Sequence, residues 1–221
     1  MNRLALFDCD GTLVDSGATI HRALADSFGR NGIAVPEAHQ AKKVIGLSLA
    51  EAMAALLPGH EPERHEVLVE EYKKSFIALR AAGEVEEPLF DGIAQLLDDL
   101  QADGWLLGVA TGKSDRGLRH CLAAHGIADR FVTLQTADRH PSKPHPAMAE
   151  QAMAEAGAKP ETTVMIGDTS FDMIMAVNAG ARALGVAWGY HEREDLLAEG
   201  AQAVAEQPSD VRTIVKEWGF D

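Results

Sequence analysis

The sequence contains 221 residues, of which 46% are hydrophobic, and it carries a formal net charge of −14. That length accommodates one domain, or one domain with an insertion, and the apolar fraction is sufficient for a substantial core. The acidic balance argues against nucleic acid and anionic membrane surfaces as partners, because both are bound through clusters of basic residues.

No run of about 18 apolar residues is present, and no signal-peptide pattern precedes the first apolar segment. The two cysteines, Cys9 and Cys121, form neither a disulfide framework nor a metal-type spacing. We therefore expect a cytoplasmic protein in which Cys9 is a packing residue.

The chain begins with an apolar segment, residues 3–8, which predicts a buried strand followed by an acidic turn over residues 9–15. Residues 16–86 show helical periodicity and no strand pattern, and from residue 87 onward strands alternate with helices. The later predicted strands are residues 105–110, 131–134, 162–166, 183–187 and an edge strand at 203–204, separated by helices near 91–103, 114–125, 146–156, 170–179, 192–199 and 208–218.

This alternation predicts an α/β fold, a doubly wound parallel sheet covered by helices on both faces. The helical block is then an insertion, so we expect a core domain of residues 1–15 and 87–221 and an all-helical domain of residues 16–86. Ligands of such sheets lie beyond the carboxyl ends of the strands, and four polar motifs fall at those positions.

The first motif contains Asp8 and Asp10 directly after the first strand, followed by Gly11 and Thr12. Two carboxylates at the end of a buried strand are costly to bury unless they are paired, so they favour a site or a bound cation. Since Asp, Gly and Thr are also common turn residues, a solvated acidic turn remains an alternative on local chemistry alone.

The second motif is the loop Thr111-Gly112-Lys113-Ser114, which follows the strand at 105–110. Thr111 offers a hydroxyl, Gly112 allows close approach of a ligand, and Ser114 can cap the next helix. A plain loop with a helix cap explains the same residues.

The third motif is Lys143, in a polar loop between Pro141 and Pro144. The prolines stiffen the loop and would hold a long cationic side chain in one place. Taken singly, a lysine in such a loop is more often solvated.

The fourth motif contains Asp168 after a strand and Asp172 at the start of the next helix. Capping and the helix dipole explain Asp172, but they do not explain a carboxylate placed directly after an apolar strand.

In this order along the chain, the four motifs resemble those of the haloacid dehalogenase superfamily. Residues 8–16 match the pattern DxDGTLxDS, and Thr111, Lys143 and the Gly-Asp segment 167–172 follow in the strand–loop–helix contexts that the superfamily shows. The helical insertion resembles the mobile cap of the superfamily's C1-capped branch.

The resemblance implies a Mg²⁺-dependent phosphatase. Asp8 would be the nucleophile that forms an aspartyl-phosphate, and Asp10 the general acid and base. Asp8, Asp168 and the backbone carbonyl of Asp10 would bind Mg²⁺, while Asp172 would support the metal waters or position Lys143.

The same resemblance implies that Thr111, the backbone N–H of Gly112 and Lys143 bind the phosphoryl oxygens. The cap would close over the site and exclude water, with hinges at residues 15–17 and near 84–88.

Within the superfamily, Asp10 argues against the haloacid dehalogenases, which lack a second aspartate. β-Phosphoglucomutases have a lysine and an arginine where this sequence has Ile45 and Leu49. Phosphonatases use a cap lysine as a Schiff base, and Lys42 or Lys43 could occupy such a position. Both classes are kept as alternatives.

Three segments, residues 44–47, 143–146 and 188–190, are similar to phosphoglycolate phosphatases and related pyrophosphatases. We therefore expect a phosphoglycolate phosphatase-like enzyme that acts on a small phosphorylated metabolite. The sequence does not distinguish a monomer from a homodimer.

An alternative of a different class is a receiver-type switch protein, which is also doubly wound and accepts phosphate on an aspartate. Receivers are about half this length, lack a helical insertion and carry the acceptor on a middle strand. A non-catalytic binding protein on the same fold is disfavoured, because all the residues expected for catalysis are present.

Overall fold

The computed structural model describes residues 1–220, in which a parallel sheet is built around the first apolar segment. The sheet has the spatial order β3-β2-β1-β4-β5-β6. Its strands are β1 (Asn2–Phe7), β2 (Trp105–Thr111), β3 (Phe131–Thr136), β4 (Ala158–Gly167), β5 (Arg182–Val186) and β6 (Ala203–Ala205). The strand nearest the N-terminus therefore lies at the centre of the sheet.

Five α-helices lie between β1 and β2, and one α-helix follows each of the later strands. The helices are α1 (Gly17–Arg30), α2 (Ala38–Lys42), α3 (Leu49–Leu56), α4 (Pro62–Ala81), α5 (Ile93–Ala102), α6 (Asp115–Ala124), α7 (Ala147–Ala156), α8 (Ser170–Asn178), α9 (Arg193–Ala198) and α10 (Pro208–Glu217). The predicted doubly wound α/β fold with an all-helical insertion is confirmed. The main differences are that β4 begins at Ala158, earlier than expected, and that Thr111 is the last residue of β2.

Side chains alternate across the sheet and produce an apolar layer on each face. Ala5 and Phe7 of β1 belong to a buried cluster with α5, α6 and α10. Leu4 and Leu6 belong to a second cluster with α7, α8 and α9. Because both faces of β1 are covered, the strand is apolar from Leu4 to Phe7, and its first carboxylate appears only where the strand ends.

The first four helices, α1–α4, have an apolar cluster of their own. It contains Leu24 and Phe28 of α1, Met53 of α3 and Leu68 of α4, all buried. This cluster holds the four helices together independently of the two layers on the sheet.

The chain passes between the sheet and the helices α1–α4 at two places that lie side by side. We name them the first crossing (residues 15–17) and the second crossing (residues 82–88). The N–H of Asp15 donates to the carbonyl of Pro88 at 2.9 Å, and the hydroxyl of Thr19 donates to the carbonyl of Glu86 at 2.8 Å. The two crossings are therefore tied to each other.

None of the helices within residues 1–220 combines the length and apolar character that crossing a membrane would require.

Candidate active site

The strand order places three of the predicted motifs together. β2 and β4 flank β1 on either side, and all three run parallel, so Thr111, Asp8 and Asp168 lie at the same edge of the sheet. The loop after β3 brings Lys143 to this edge.

Asp8 is fully buried, and its two carboxylate oxygens have different surroundings. Oδ1 accepts the N–H of Cys9 at 2.6 Å and lies 2.9 Å from Nζ of Lys143. Oδ2 is buried without a hydrogen-bond partner among the described residues. Because an unpartnered buried carboxylate oxygen is costly, this atom marks a position where a ligand is expected.

Lys143 is fully buried and bridges two carboxylates, so the interpretation of it as a solvated loop lysine is wrong. Its Nζ lies 2.6 Å from Oδ1 of Asp172, in addition to its contact with Asp8. Burial alone would lower the pKa of this ammonium, but Asp172 and Asp8 outweigh that effect and hold the pKa above its ordinary value. Lys143 therefore provides a permanent positive charge inside the site.

Asp168 is held from two directions. Its Oδ1 accepts the hydroxyl of Thr12 at 2.7 Å, and its Oδ2 accepts the N–H of Tyr190 at 3.0 Å. A Cβ on Gly11, whose φ is +93°, would lie 2.1 Å from Oδ2 of Asp168, and a Cβ on Gly189 would lie 2.1 Å from Cβ of Asp168. Both glycines are required because the backbone passes this carboxylate too closely for any side chain.

Asp172 lies in the first turn of α8, where it forms a capping box with Thr169. Its Oδ2 accepts the N–H of Thr169 at 3.1 Å and the hydroxyl of Thr169 at 2.7 Å, while its Oδ1 pairs with Lys143. Both oxygens of Asp172 thus have protein partners, one in Lys143 and the other in Thr169.

Asp8, Asp168 and Asp172 each place a carboxylate oxygen within 4.8 Å of the others. Burial, opposed by Lys143 and reinforced by Asp172, raises the pKa of Asp8 to about 7. Burial and then the nearby Asp8 also raise the pKa of Asp168 well above its ordinary value. Together with the unpartnered Oδ2 of Asp8, these repelling oxygens form a donor set that fits a divalent cation.

The side chain of Asp10 does not join that group. Its Oδ1 accepts the hydroxyl of Ser16 at 2.6 Å and the ammonium of Lys113 at 2.6 Å. Lys113 also donates to Oε1 of Glu87 at 2.9 Å. Lys113 lies in the second motif but was assigned no role from the sequence, and Glu87 lies in none of the motifs. The available signal was the place of Lys113 beside Gly112, in a loop at a strand end.

Thr111 and Gly112 lie where the second motif predicted, at the end of β2. Thr111 is buried, and its hydroxyl accepts the N–H of Lys113 at 3.2 Å. A Cβ on Gly112 would lie 2.2 Å from the carbonyl oxygen of Leu47. The turn before α3 therefore rests directly on this loop.

Two further contacts join that turn to the edge of the sheet. The N–H of Ser48 donates to the hydroxyl of Ser142 at 2.8 Å, next to Lys143. A Cβ on Gly46, whose φ is +102°, would lie 3.1 Å from the hydroxyl of Thr169. The site is consequently covered by residues of the helical insertion.

Tyr190 connects Asp168, one of the three clustered carboxylates, to the first crossing. Its N–H holds Asp168, while its hydroxyl accepts the N–H of Ser16 at 3.0 Å. The ammonium of Lys42 lies 5.7 Å from the centroid of the Tyr190 ring, a distance at which a cation–π interaction forms.

A family model described as haloacid dehalogenase-like hydrolase matches residues 5–186 of this chain. The chain is 35% identical over 217 residues to the probable phosphatase IndB of Dickeya dadantii, covering 96% of this chain and 92% of that protein. It is 33% identical over 218 residues to the tyrosine-protein kinase PtkA of Mycobacterium tuberculosis, and the match covers 98% of this chain and 72% of that protein. It is 30% identical over 208 residues to the phosphoglycolate phosphatase of Xylella fastidiosa, and the match covers 93% of this chain and 90% of that protein.

A solved structure of a predicted phosphatase from Clostridium acetobutylicum superimposes on this chain with a TM-score of 0.88 at 26% identity. The match covers 98% of this chain and 99% of the other.

Proposed function

Because this chain belongs to the haloacid dehalogenase-like hydrolase family and is a phosphatase, we propose that it hydrolyses a small phosphorylated metabolite with the help of Mg²⁺. The reaction proceeds through an aspartyl-phosphate on Asp8. The observation that supports this most directly is the Asp8 carboxylate, which is buried beside Lys143 and has one oxygen without a partner among the described residues.

In the first step, a carboxylate oxygen of Asp8 attacks the phosphorus of the substrate, and the bond from phosphorus to the leaving oxygen breaks. Asp10 donates its proton to that oxygen, so the alcohol leaves neutral. The products of the step are the alcohol, the aspartyl-phosphate and an ionised Asp10.

In the second step, water attacks the phosphorus of the aspartyl-phosphate, and the bond from phosphorus to Asp8 breaks. Asp10 accepts the proton of the water, which restores both carboxyl groups and releases inorganic phosphate. One residue serves as acid and then as base, so the enzyme is ready for another cycle.

Asp8, Asp168 and the backbone carbonyl of Asp10 would hold the Mg²⁺, with Asp172 as a supporting residue. Asp172 is assigned support because both of its oxygens already have protein partners. Bound there, Mg²⁺ neutralises negative charge on the carboxylates and on the transferring phosphoryl group.

Lys143, the hydroxyl of Thr111 and the N–H of Gly112 bind the phosphoryl oxygens. Lys143 is buried and charged, so it stabilises the charge of the transferring group in a region from which water is largely excluded. This local positive charge is needed because the chain as a whole carries a net charge of −14.

We further propose that residues 16–86 form a cap domain over a core domain of residues 1–15 and 87–221. The separate apolar cluster of α1–α4 and the adjacent crossings support this division. In the described conformation the turn at Gly46 and Leu47 covers the second motif, which corresponds to a closed cap. The cap then selects the leaving group and excludes water during phosphoryl transfer.

We propose a substrate similar to phosphoglycolate, and the similarity over most of the chain to the phosphoglycolate phosphatase of Xylella fastidiosa supports this choice. The β-phosphoglucomutase-like and phosphonatase-like alternatives both depend on residues of the cap. Lys42, a candidate for the Schiff-base lysine of a phosphonatase, instead lies over the ring of Tyr190, which disfavours that alternative. The receiver-type switch is disfavoured by the helical insertion and by Asp10, which provides a base for dephosphorylation. We place the enzyme in the cytoplasm, acting without nucleic acid or membrane partners.

The test is phosphate release from a panel of esters with and without Mg²⁺. The panel contains phosphoglycolate, pyrophosphate, sugar phosphates, nucleotides and p-nitrophenyl phosphate. We expect Mg²⁺-dependent release with a preference for one small ester. Folded protein that releases phosphate from none of them would contradict the proposal and favour the mutase or phosphonatase alternatives.

A further inference from the structure

We propose that Lys113 is a positioning residue that orients Asp10 for proton transfer, and that Glu87 holds the ammonium of Lys113 in place for this role. The inference rests on the proposed function, in which Asp10 is the general acid and base. It assigns a role to two residues that the sequence motifs and the family resemblance left unassigned.

The three side chains form a buried chain of charges. Nζ of Lys113 lies 2.6 Å from Oδ1 of Asp10 and 2.9 Å from Oε1 of Glu87. The side chains of Lys113, Asp10 and Glu87 are 8%, 9% and 6% exposed, so solvent screens these contacts only weakly. One ammonium is thus shared between an active-site carboxylate and a carboxylate of the second crossing.

The two donors to Asp10 act on the same oxygen. Ser16 and Lys113 both donate to Oδ1, and neither contact involves Oδ2. Oδ1 is therefore saturated, and a proton carried by Asp10 resides on Oδ2. Fixing one oxygen in this way presents the other to the leaving group and later to water.

Each donor is attached to a different crossing. Ser16 belongs to the first crossing, where the hydroxyl of Tyr190 accepts its N–H. Lys113 is on the core, but its second partner, Glu87, belongs to the second crossing. The carbonyl of Glu87 lies 2.7 Å from Nε2 of His125, directly after α6, so Glu87 is held against the core and can fix Lys113 there.

The experiment separates proton donation from general structural damage. kcat/KM reports the steps through cleavage of the bond to the leaving oxygen. A leaving group as good as p-nitrophenolate needs little protonation, whereas an alkyl alcohol needs a proton from Asp10. We would measure kcat/KM of the wild type and of the Lys113→Met variant for p-nitrophenyl phosphate, phenyl phosphate and the preferred alkyl ester of the panel.

We expect Lys113→Met to lower kcat/KM for the alkyl ester by about 100-fold and for p-nitrophenyl phosphate by less than about 10-fold, as for a misplaced general acid. Glu87→Gln retains the side-chain volume, should fold even if Lys113→Met does not, and is expected to give a smaller change in the same direction. Glu86→Gln is the matched control, because it makes the same substitution one residue earlier on the same crossing, and Glu86 forms no ion pair among the described residues. Its kinetics should equal those of the wild type.

The positioning role would be overturned if Lys113→Met and Glu87→Gln lowered kcat/KM equally for all three esters, or did not lower it at all. Asp10→Asn, measured on the same series, separates the two levels of the argument. If Asp10→Asn increases the dependence on the leaving group and the Lys113 and Glu87 variants do not, only this inference is wrong. If Asp10→Asn leaves that dependence unchanged, Asp10 is not the general acid, and the proposed function fails with it.

Discussion

Nζ of Lys143 lies 2.9 Å from Oδ1 of Asp8, and both side chains are completely buried. Buried ions of opposite charge stabilise a fold only together, because removal of one leaves the other without compensation. The proposed nucleophile is thus electrostatically dependent on a residue that lies far from it in the sequence.

Replacement of Lys143 should affect activity and stability together. We expect Lys143→Met to lower kcat/KM by at least about 100-fold, since it removes a buried charge that stabilises the transferring phosphoryl group. It should also lower the melting temperature, because Asp8 and Asp172 lose their shared cation. Lys73→Met is the control: Lys73 pairs with Glu70 at the surface, so its loss should cost less than about 1 kcal/mol. A Lys143→Met variant with normal activity would contradict the assignment.

The two catalytic aspartates should fail at different steps. With p-nitrophenyl phosphate, Asp10→Ala should accumulate the aspartyl-phosphate, because this leaving group needs little acid catalysis while hydrolysis still needs a base. Asp8→Asn should form no phosphoenzyme and have no turnover, although it should still bind Mg²⁺ weakly. Intact-protein mass spectrometry after acid quenching measures the amount of phosphoenzyme in each variant. Asp129→Asn is the control, because Asp129 is exposed. Rapid turnover in Asp8→Asn would remove Asp8 as the nucleophile.

Removal of the metal should abolish turnover and destabilise the fold. EDTA is expected to stop phosphate release and Mg²⁺ to restore it. Mg²⁺ should also raise the melting temperature, because it relieves repulsion among buried carboxylates; ligand at 100 times Kd stabilises by about 2.7 kcal/mol. Asp168→Asn should weaken both effects. Full activity in excess EDTA would show that no divalent cation is required.

The pH dependence of stability without metal has a definite sign. Burial raises the pKa of Asp8 from its ordinary value of 3.8 to about 7. Between those values the folded state binds more protons than the unfolded state, so this group's stabilising contribution is present below about pH 4 and is lost as the pH rises through about 7. In urea denaturation without Mg²⁺, the wild type should therefore lose unfolding free energy relative to Asp8→Asn over this range. Parallel curves for the two proteins would contradict the raised pKa.

Gly189 should tolerate no side chain. Its Cβ would lie 2.1 Å from Cβ of Asp168, so Gly189→Ala must displace either the carboxylate or the loop. We expect weaker Mg²⁺ binding and at least a 10-fold loss of kcat/KM, on the order found when supporting residues of a metal site are changed. Gly29→Ala is the control, because no atom lies within 4 Å of that Cβ and alanine favours the helix. Equal metal affinity in the two variants would show that the close approach is not required.

Most of the sheet and the main site residues could be predicted from the sequence because their signals are local. An apolar segment followed by a carboxylate identifies the ends of β1 and β4, and hence Asp8 and Asp168. The partners of these groups were harder to predict. Lys143 taken singly favoured a solvated position, and only the folded chain shows that Asp172 and Asp8 surround it.

Asp10 was predicted and Lys113 lies in a predicted motif, but the contacts that join Asp10, Lys113 and Glu87 could not be predicted. Asp10 and Lys113 are 103 residues apart, and Glu87 lies in a connection with no regular structure. Their contact depends on how the two crossings pass each other, which no residue pattern in either segment encodes. The assigned domain boundaries and the catalytic roles remain predictions for the experiments above.

The central position of β1 has a consequence for biosynthesis. Its neighbours β2 and β4 are translated only after the whole helical insertion, and Thr12 and Asp168, which hold each other, are 156 residues apart. β1 can therefore pair with β2 only after the whole insertion has been translated and with β4 only later still, and pairing over such a distance is slow. Nascent chains that stop before β2 carry an unpaired hydrophobic strand, which makes them prone to aggregation.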